Sequence, residues 1–177
     1  MKKIYLALCL SMLAVSSMNA QESPFKKNDN LLNLGLGVNS YYHGGTPLSI
    51  SFEHGITDLI SAGLVVDYLS DKYNYGPTYS YKFTSLYFGA RGSLHVNELL
   101  KLNTSKFDLY AGATLGYRSF TWKDNYSGTS LDDIYGSGMF VGVHVGGKYY
   151  FTPALGAFTE LGATGSTNFR VGLAVKL

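Results

Sequence analysis

From Leu31 to Leu177 apolar and polar residues alternate with a period of two, the period of a β-strand. The alternation falls into eight segments, at residues 32–41, 47–55, 59–69, 81–95, 106–120, 138–151, 156–164 and 168–177. In the first, Leu32, Leu34, Leu36 and Val38 share one face against Asn33, Gly35, Gly37 and Asn39. In the sixth, Met139, Val141, Val143 and Val145 oppose Phe140, Gly142, His144 and Gly146. Segments of roughly 9–15 residues exceed the about 5–6 of ordinary globular strands and suit strands that cross a membrane, about 9–11. No helical-period stretch of useful length competes. Connections at 55–58, 96–105 and 152–155 alternate with those at 42–46, 70–80, 121–137 and 165–167, of which 70–80 and 121–137 are rich in Tyr, Asp, Gly and Ser. This predicts an all-β fold, an eight-stranded antiparallel up-and-down transmembrane β-barrel over residues 31–177, with both termini periplasmic and the longer loops outside.

Alternation alone also fits a soluble barrel, and the make-up of the polar face separates the two. Charged residues are 15% of the chain, against about 25% in an ordinary soluble domain. The polar face is mostly Gly, Ser and Thr. Gly weakens strands, but small residues fit the cramped interior of an eight-stranded barrel, which has room only for side chains. The apolar face therefore points outward, to lipid.

The charges on the small-residue face balance. Glu53, Asp67, Asp108 and Glu160 are the acids and Arg91, Arg118, Lys148 and Arg170 the bases, with His144 among them. A buried charge without a partner costs several kcal/mol. Strand direction therefore predicts two ion-pair clusters that plug the lumen. Glu53, Arg91, Asp108, Lys148 and Glu160 fall in the lower and middle barrel, and Asp67, Arg118 and Arg170 towards the top. Aromatic residues are expected as girdles at the two bilayer interfaces. Tyr41, Tyr42, Tyr68, Tyr81, Tyr117, Phe120 and Trp122 mark the outer one, and Phe107, Tyr149, Tyr150 and Phe151 the inner.

Residues 1–20 read as a cleaved secretory signal peptide. Lys2 and Lys3 precede an apolar core that is too short to span a bilayer as a helix, and Met18-Asn19-Ala20 precedes a plausible cleavage point at Gln21. Without Lys2 and Lys3, the 14 basic residues become 12 against 12 acidic, so the formal charge of +2 vanishes, and the single Cys, Cys9, leaves too. Residues 21–30 form a polar N-terminal leader, expected to be loose. The scattered basic residues carry no nucleic-acid footprint.

Together these features resemble the small eight-stranded bacterial outer-membrane proteins of the OmpX and OmpA-barrel type. Residues 147–162, from Gly147-Lys148-Tyr149-Tyr150 to Glu160-Leu161-Gly162, look like the sixth turn region of that group. The ending Phe169-Arg170-Val171-Gly172-Leu173-Ala174-Val175-Lys176-Leu177 resembles the C-terminal signal read by the barrel-assembly machinery. The family usually ends in Phe, where this chain has Leu177, which keeps an apolar residue on the lipid face. The resemblance covers about residues 31–177 and implies an outer-membrane location, with the surrounding lipid and the assembly machinery as partners.

Candidate chemistry is sparse. His43 falls in a loop, and His54 and His95 near the inner rim. His144 points into the lumen near Glu160, where a Ser-His-Glu triad can be drawn on paper, but membership of the polar plug is the favoured reading. No metal-ligand cluster, cofactor motif or His-x-Ser pair of the lipid A deacylase kind is present. The outer loops combine Tyr with small polar residues, a mixture suited to adaptable contacts, and Tyr73, Tyr75, Tyr79, Tyr126 and Tyr135 are the contact candidates for an extracellular ligand or host surface. The expectation is thus a non-enzymatic integral barrel, structural or surface-interacting. The alternatives are a barrel enzyme modifying lipid A or phospholipid acyl chains, and a small gated conduit.

Overall fold

The computed structural model describes residues 23–42, 44–75, 79–102, 104–124 and 136–177, with the side chains of Tyr75, Tyr79 and Asp124 also left out of the description. The proposed signal peptide, Cys9, His43, Tyr126 and Tyr135 lie outside the described residues, as do the side chains of Tyr75 and Tyr79. Eight strands follow one another: β1 (Asn30–Gly37), β2 (Leu48–Gly55), β3 (Ile60–Tyr75), β4 (Tyr79–His95), β5 (Phe107–Asp124), β6 (Gly138–Tyr150), β7 (Leu155–Gly162) and β8 (Phe169–Lys176). Each pairs antiparallel with the next, and β1 pairs with β8 to close the barrel, from Leu31 opposite Lys176 to Gly37 opposite Arg170. Closure pairs every strand on both sides, so no row of backbone donors and acceptors faces hydrocarbon.

The two faces separate by polarity in the inverse sense of a soluble protein. Leu64 is 66% exposed, Val141 74% and Leu161 55%, all on the outer surface, while Ser61, Asp67, Ser85 and Asp108 are fully buried within. An outer belt of Leu, Val, Ile and Phe is a surface for lipid, and the barrel is a transmembrane one. Glycine keeps the interior passable at crowded points. A Cβ on Gly112 would lie 2.7 Å from the His144 ring and would press on the Gly92 carbonyl, so Gly there makes room for the imidazole.

Three features depart from the sequence reading. Strands β3, β4 and β5 run to 16, 17 and 18 residues and rise as a sheet beyond the rest of the barrel. Residues 70–75 and 121–124, read as loop from their Tyr, Asp, Asn and Ser content, continue the ladder because their alternation continues. β1 instead stops at Gly37, short of the expected residue 41.

Second, the leader is seated rather than loose. The amide of Asn28 donates to the Gly55 carbonyl at 2.8 Å, Gly55 donates back to the Asp29 carbonyl at 2.8 Å, and the Lys27 amide donates to Asp58 Oδ1 at 2.9 Å. Lys176 pairs with Asp29 at 2.9 Å and donates to the Pro24 carbonyl.

Third, the aromatic girdles are thinner than expected. Tyr41, Tyr68 and Tyr117 face outward, but Phe120 and Trp122 keep the inward direction of Asp108 and Arg118 because β5 runs straight to Asp124. They pack with Tyr42, Leu69, Tyr73, Phe83, Tyr87 and Phe140, and Tyr81 stacks on Tyr73 with ring centroids 5.2 Å apart. At the end carrying the termini, Phe107, Tyr149 and Phe151 are outward. Tyr150 is buried inside at 3% exposure.

Candidate functional site

The inward side chains of seven strands, β2 to β8, meet in the middle of the barrel. Arg91 on β4 is the hub. Its Nε donates to Glu53 Oε1 at 2.9 Å, while Nη1 and Nη2 donate to the two oxygens of Glu160 at 3.2 and 2.6 Å. The planar guanidinium thus serves two carboxylates at once, one of them bidentately. Glu53 Oε2 also accepts the hydroxyls of Ser61 at 2.9 Å and Ser93 at 2.6 Å. Tyr110 donates to Glu160 Oε2 at 3.2 Å. Arg170 stands between Glu160 and Asp67, 3.6 Å from each. Asp67 accepts from the Ser166 amide at 2.9 Å and from the Ser166 hydroxyl, which draws the loop between β7 and β8 into the mouth of the lumen. Thr164, Ser166 and Thr167 of that loop are buried.

Asp108 lies nearer the terminal end. His95 Nδ1 donates to its Oδ1 at 2.8 Å, and Lys148 Nζ lies 3.8 Å from its Oδ2 and 4.9 Å from the centre of the Tyr110 ring. Phe25 from the leader lies flat on the His95 ring, with centroids 3.5 Å apart and an interplanar angle of 10°. Phe25 is 1% exposed.

Eight of the nine expected interior residues thus converge. Arg170 bridges the expected upper and middle groups into one chain running Asp67–Arg170–Glu160–Arg91–Glu53, with Asp108–Lys148 beside it. Arg118 stands apart, which corrects its expected place in that network. It faces inward, but its guanidinium donates to the Gly136 carbonyl at 3.1 and 2.6 Å and is paired with no described carboxylate. It shares a ladder row with Asp67 but stands two strands away, across Tyr87, beside the Tyr87–Tyr42 hydroxyl pair, whose oxygens are 2.6 Å apart. His95 takes the fourth nitrogen position, beside Asp108. Tyr73 lies within β3, not in a loop. It is half-buried, stacks on Tyr81 and Phe83, and its hydroxyl donates to the Tyr42 carbonyl at 3.2 Å.

Sequence reasoning missed Ser61, Ser93, His95 and Phe25. Ser61 and Ser93 carried a signal, since both alternate with Glu53 and Arg91 on the inward face and are directly opposite in register. Phe25 carried none beyond being the one aromatic in a polar stretch.

An Asp–His–Ser order of contacts does arise here. Asp108 meets His95, and His95 Nε2 lies 3.0 Å from Ser61 Oγ. The Ser61 hydroxyl also lies 2.9 Å from Glu53 Oε2, an acceptor that competes with His95 for its proton. The Ser93–His144 contact at 3.2 Å repeats this logic, since Ser93 also donates to Glu53. The residue expected beside His144 in a triad, Glu160, instead takes Arg91. No group of three or more His, Cys, Asp or Glu among the described residues is placed to hold a metal ion.

The closed sheet, apolar outside and ionised inside, places the chain in the fold class of the small eight-stranded outer-membrane β-barrels. Solved structures show the same architecture. The outer membrane protein OprG of Pseudomonas aeruginosa is similar with a TM-score of 0.61 at 11% identity, over 88% of this chain and 99% of that one. The N-terminal β-barrel domain of Pseudomonas aeruginosa OprF is similar with a TM-score of 0.51 at 16% identity, over 85% of this chain and 98% of that one. No protein-family model matches the sequence, and no curated protein matches it.

Proposed function

We propose that the protein is a non-enzymatic integral outer-membrane barrel with a plugged polar lumen and a Tyr-rich outer surface that contacts an extracellular ligand or host surface. Residues 1–20 direct export, both termini lie in the periplasm, and β8 is the strand read by the barrel-assembly machinery. Neither nucleic acid nor a cofactor enters this reading.

The observation that carries it is the chain from Asp67 to Glu53 across the lumen, with side chains 0–4% exposed. Paired ions this deeply buried support a plug, and the sharing of the Ser61 and Ser93 hydroxyls with Glu53 supports a non-enzymatic role. Planar-bilayer recordings test the plug. Only brief, sub-resolution openings are expected, and large steady conductance contradicts it. A binding screen comparing the whole barrel with one lacking residues 76–78 and 125–135 tests the contact surface, with loss of binding expected in the shortened form.

The contacts among Asp108, His95 and Ser61 favour one rival, an enzyme acting on lipid acyl chains. Mass spectra of lipid A and phospholipids from a deletion strain decide between the readings. The expected result is an unchanged acyl pattern. A change restored by the wild-type gene and not by Ser61→Ala overturns the non-enzymatic reading.

A further inference from the structure

The rising sheet of β3, β4 and β5 carries an ordered outer face that the lumen does not explain. Successive rows of directly opposed residues run from the membrane outward. Val66, Phe88 and Tyr117 form an apolar and aromatic row, and Tyr68, Leu86 and Ser119 the next. Then come Ser70, Thr84 and Thr121, a row of hydroxyls in which Ser70 and Thr84 are 3.1 Å apart. The fourth row is Lys72, Lys82 and Lys123.

Three lysines side by side on three neighbouring strands are an unfavourable choice in isolation, because like charges directly opposite repel. All three are exposed, and none pairs with a described carboxylate. Asp71, the nearest acid on β3, belongs to the opposite, inward face of the pleat. Strands stand about 4.8 Å apart, so the ammonium groups spread over a line of about 10 Å. The row stands four residues beyond Tyr68 on β3, a rise of about 10 Å for a strand tilted by about 40°. Lysine stems reach several ångströms back toward the bilayer surface. The ammonium groups are therefore at the depth of lipid headgroups, on the flank that the outer leaflet touches.

We infer that Lys72, Lys82 and Lys123 form a lateral binding site for the phosphates of a phosphorylated glycolipid of the outer leaflet. The lipid's acyl chains lie on the Val66–Phe88–Tyr117 flank. The ammonium is a common point-charge partner for phosphate, and an anion over the row removes the repulsion that the bare sheet carries. Position favours a membrane lipid over a soluble polyanion, because the row continues the lipid-facing surface. The inference rests on the orientation proposed above, with β3 and β4 rising on the outside.

The test uses the full mature barrel in phosphatidylcholine nanodiscs doped with bisphosphorylated lipid A, with retained lipid A read by native mass spectrometry. Near-surface lysines contribute enough to anionic lipid binding that the triple variant Lys72→Gln, Lys82→Gln, Lys123→Gln is expected to retain lipid A at least about tenfold more weakly. Dephosphorylated lipid A is expected to bind the wild type as weakly. A control variant with Lys27, Lys101 and Lys106 changed to Gln, all at the terminal end, is expected to bind normally. Equal retention by the wild type and the first triple variant overturns the inference. So does a loss that is the same for dephosphorylated lipid, or one confined to a soluble polysulfate. Orientation is read separately, by labelling Asn74→Cys on intact cells with an impermeant maleimide. Absence of labelling there sinks the orientation, whatever the nanodisc result.

Discussion

The middle of the lumen and its far mouth are lined by the same pleated face of β3, β4 and β5, yet they are filled by opposite chemistries. In the middle, Asp67 pairs with Arg170, Arg91 with Glu53 and Glu160, and Asp108 with Lys148, so that these three strands draw their partners from β8, β2, β7 and β6. At the mouth, Leu69 packs with the rings of Tyr42, Phe83, Tyr87, Phe120 and Trp122. Ions in a low-dielectric space need all their partners at once, because one missing partner leaves a bare charge. Apolar side chains need only contact, and the three long strands supply it with Phe140 of β6 and one loop residue. The middle therefore depends on the closed circle, and the mouth on a local sheet.

Reversing a charge in the middle is the harshest break. Glu160→Lys faces Arg91 and Arg170 with a third cation. The expected loss exceeds the about 3–5 kcal/mol of breaking a buried pair, and the unboiled protein is expected to lose its heat-modifiable band on SDS gels. An unchanged unfolding midpoint contradicts the ionic account. Phe83→Ala strikes the mouth, where Phe83 stacks on Phe120 at 5.8 Å and packs at a tilt against Trp122 at 5.7 Å. A cost of about 3 kcal/mol is expected, seen as a red shift of the single Trp while the heat-modifiable band survives. If that band vanishes too, the two regions are not separable. Tyr42→Phe removes the hydroxyl contact to Tyr87, for about 1 kcal/mol in urea unfolding. Asp58→Ala frees the Lys27 amide at the opposite end for about 0.5 kcal/mol. The readout is faster hydrogen exchange at Lys27, with the network amides unchanged.

The barrel was legible because lipid outside and a narrow lumen inside impose opposite demands on alternate residues, and Val141 and Gly142 already show both. The extra length of β3 to β5 was less legible, because Tyr73, Asn74 and Tyr81 belong equally to turns and to ladders. Face assignment put Arg118 inside, but not beside an acid. Pairing depends on stagger around the circle, and Ser166 with Arg170 fills the space near Asp67 that Arg118 was expected to share. The contact of His95 with Ser61 was out of reach for the same reason. It arises from the β3–β4 register, which sets Ser61 opposite Ser93 and two positions from His95. Phe25 showed no periodicity at all, and its burial follows from the His95 ring it stacks on and the bare backbone of Gly55 beside it.

The seam between β1 and β8 has a consequence for the order of events in assembly. Leu31 pairs with Lys176 across nearly the whole sequence, a contact whose loop-closure entropy must be met before it stabilises anything. Arg170, the partner of both Asp67 and Glu160, is carried on that last strand. A chain halted before β8 therefore has an open edge and an uncompensated Asp67 together. Such an intermediate has two reasons to stay out of the membrane, and one late strand removes both in a single step.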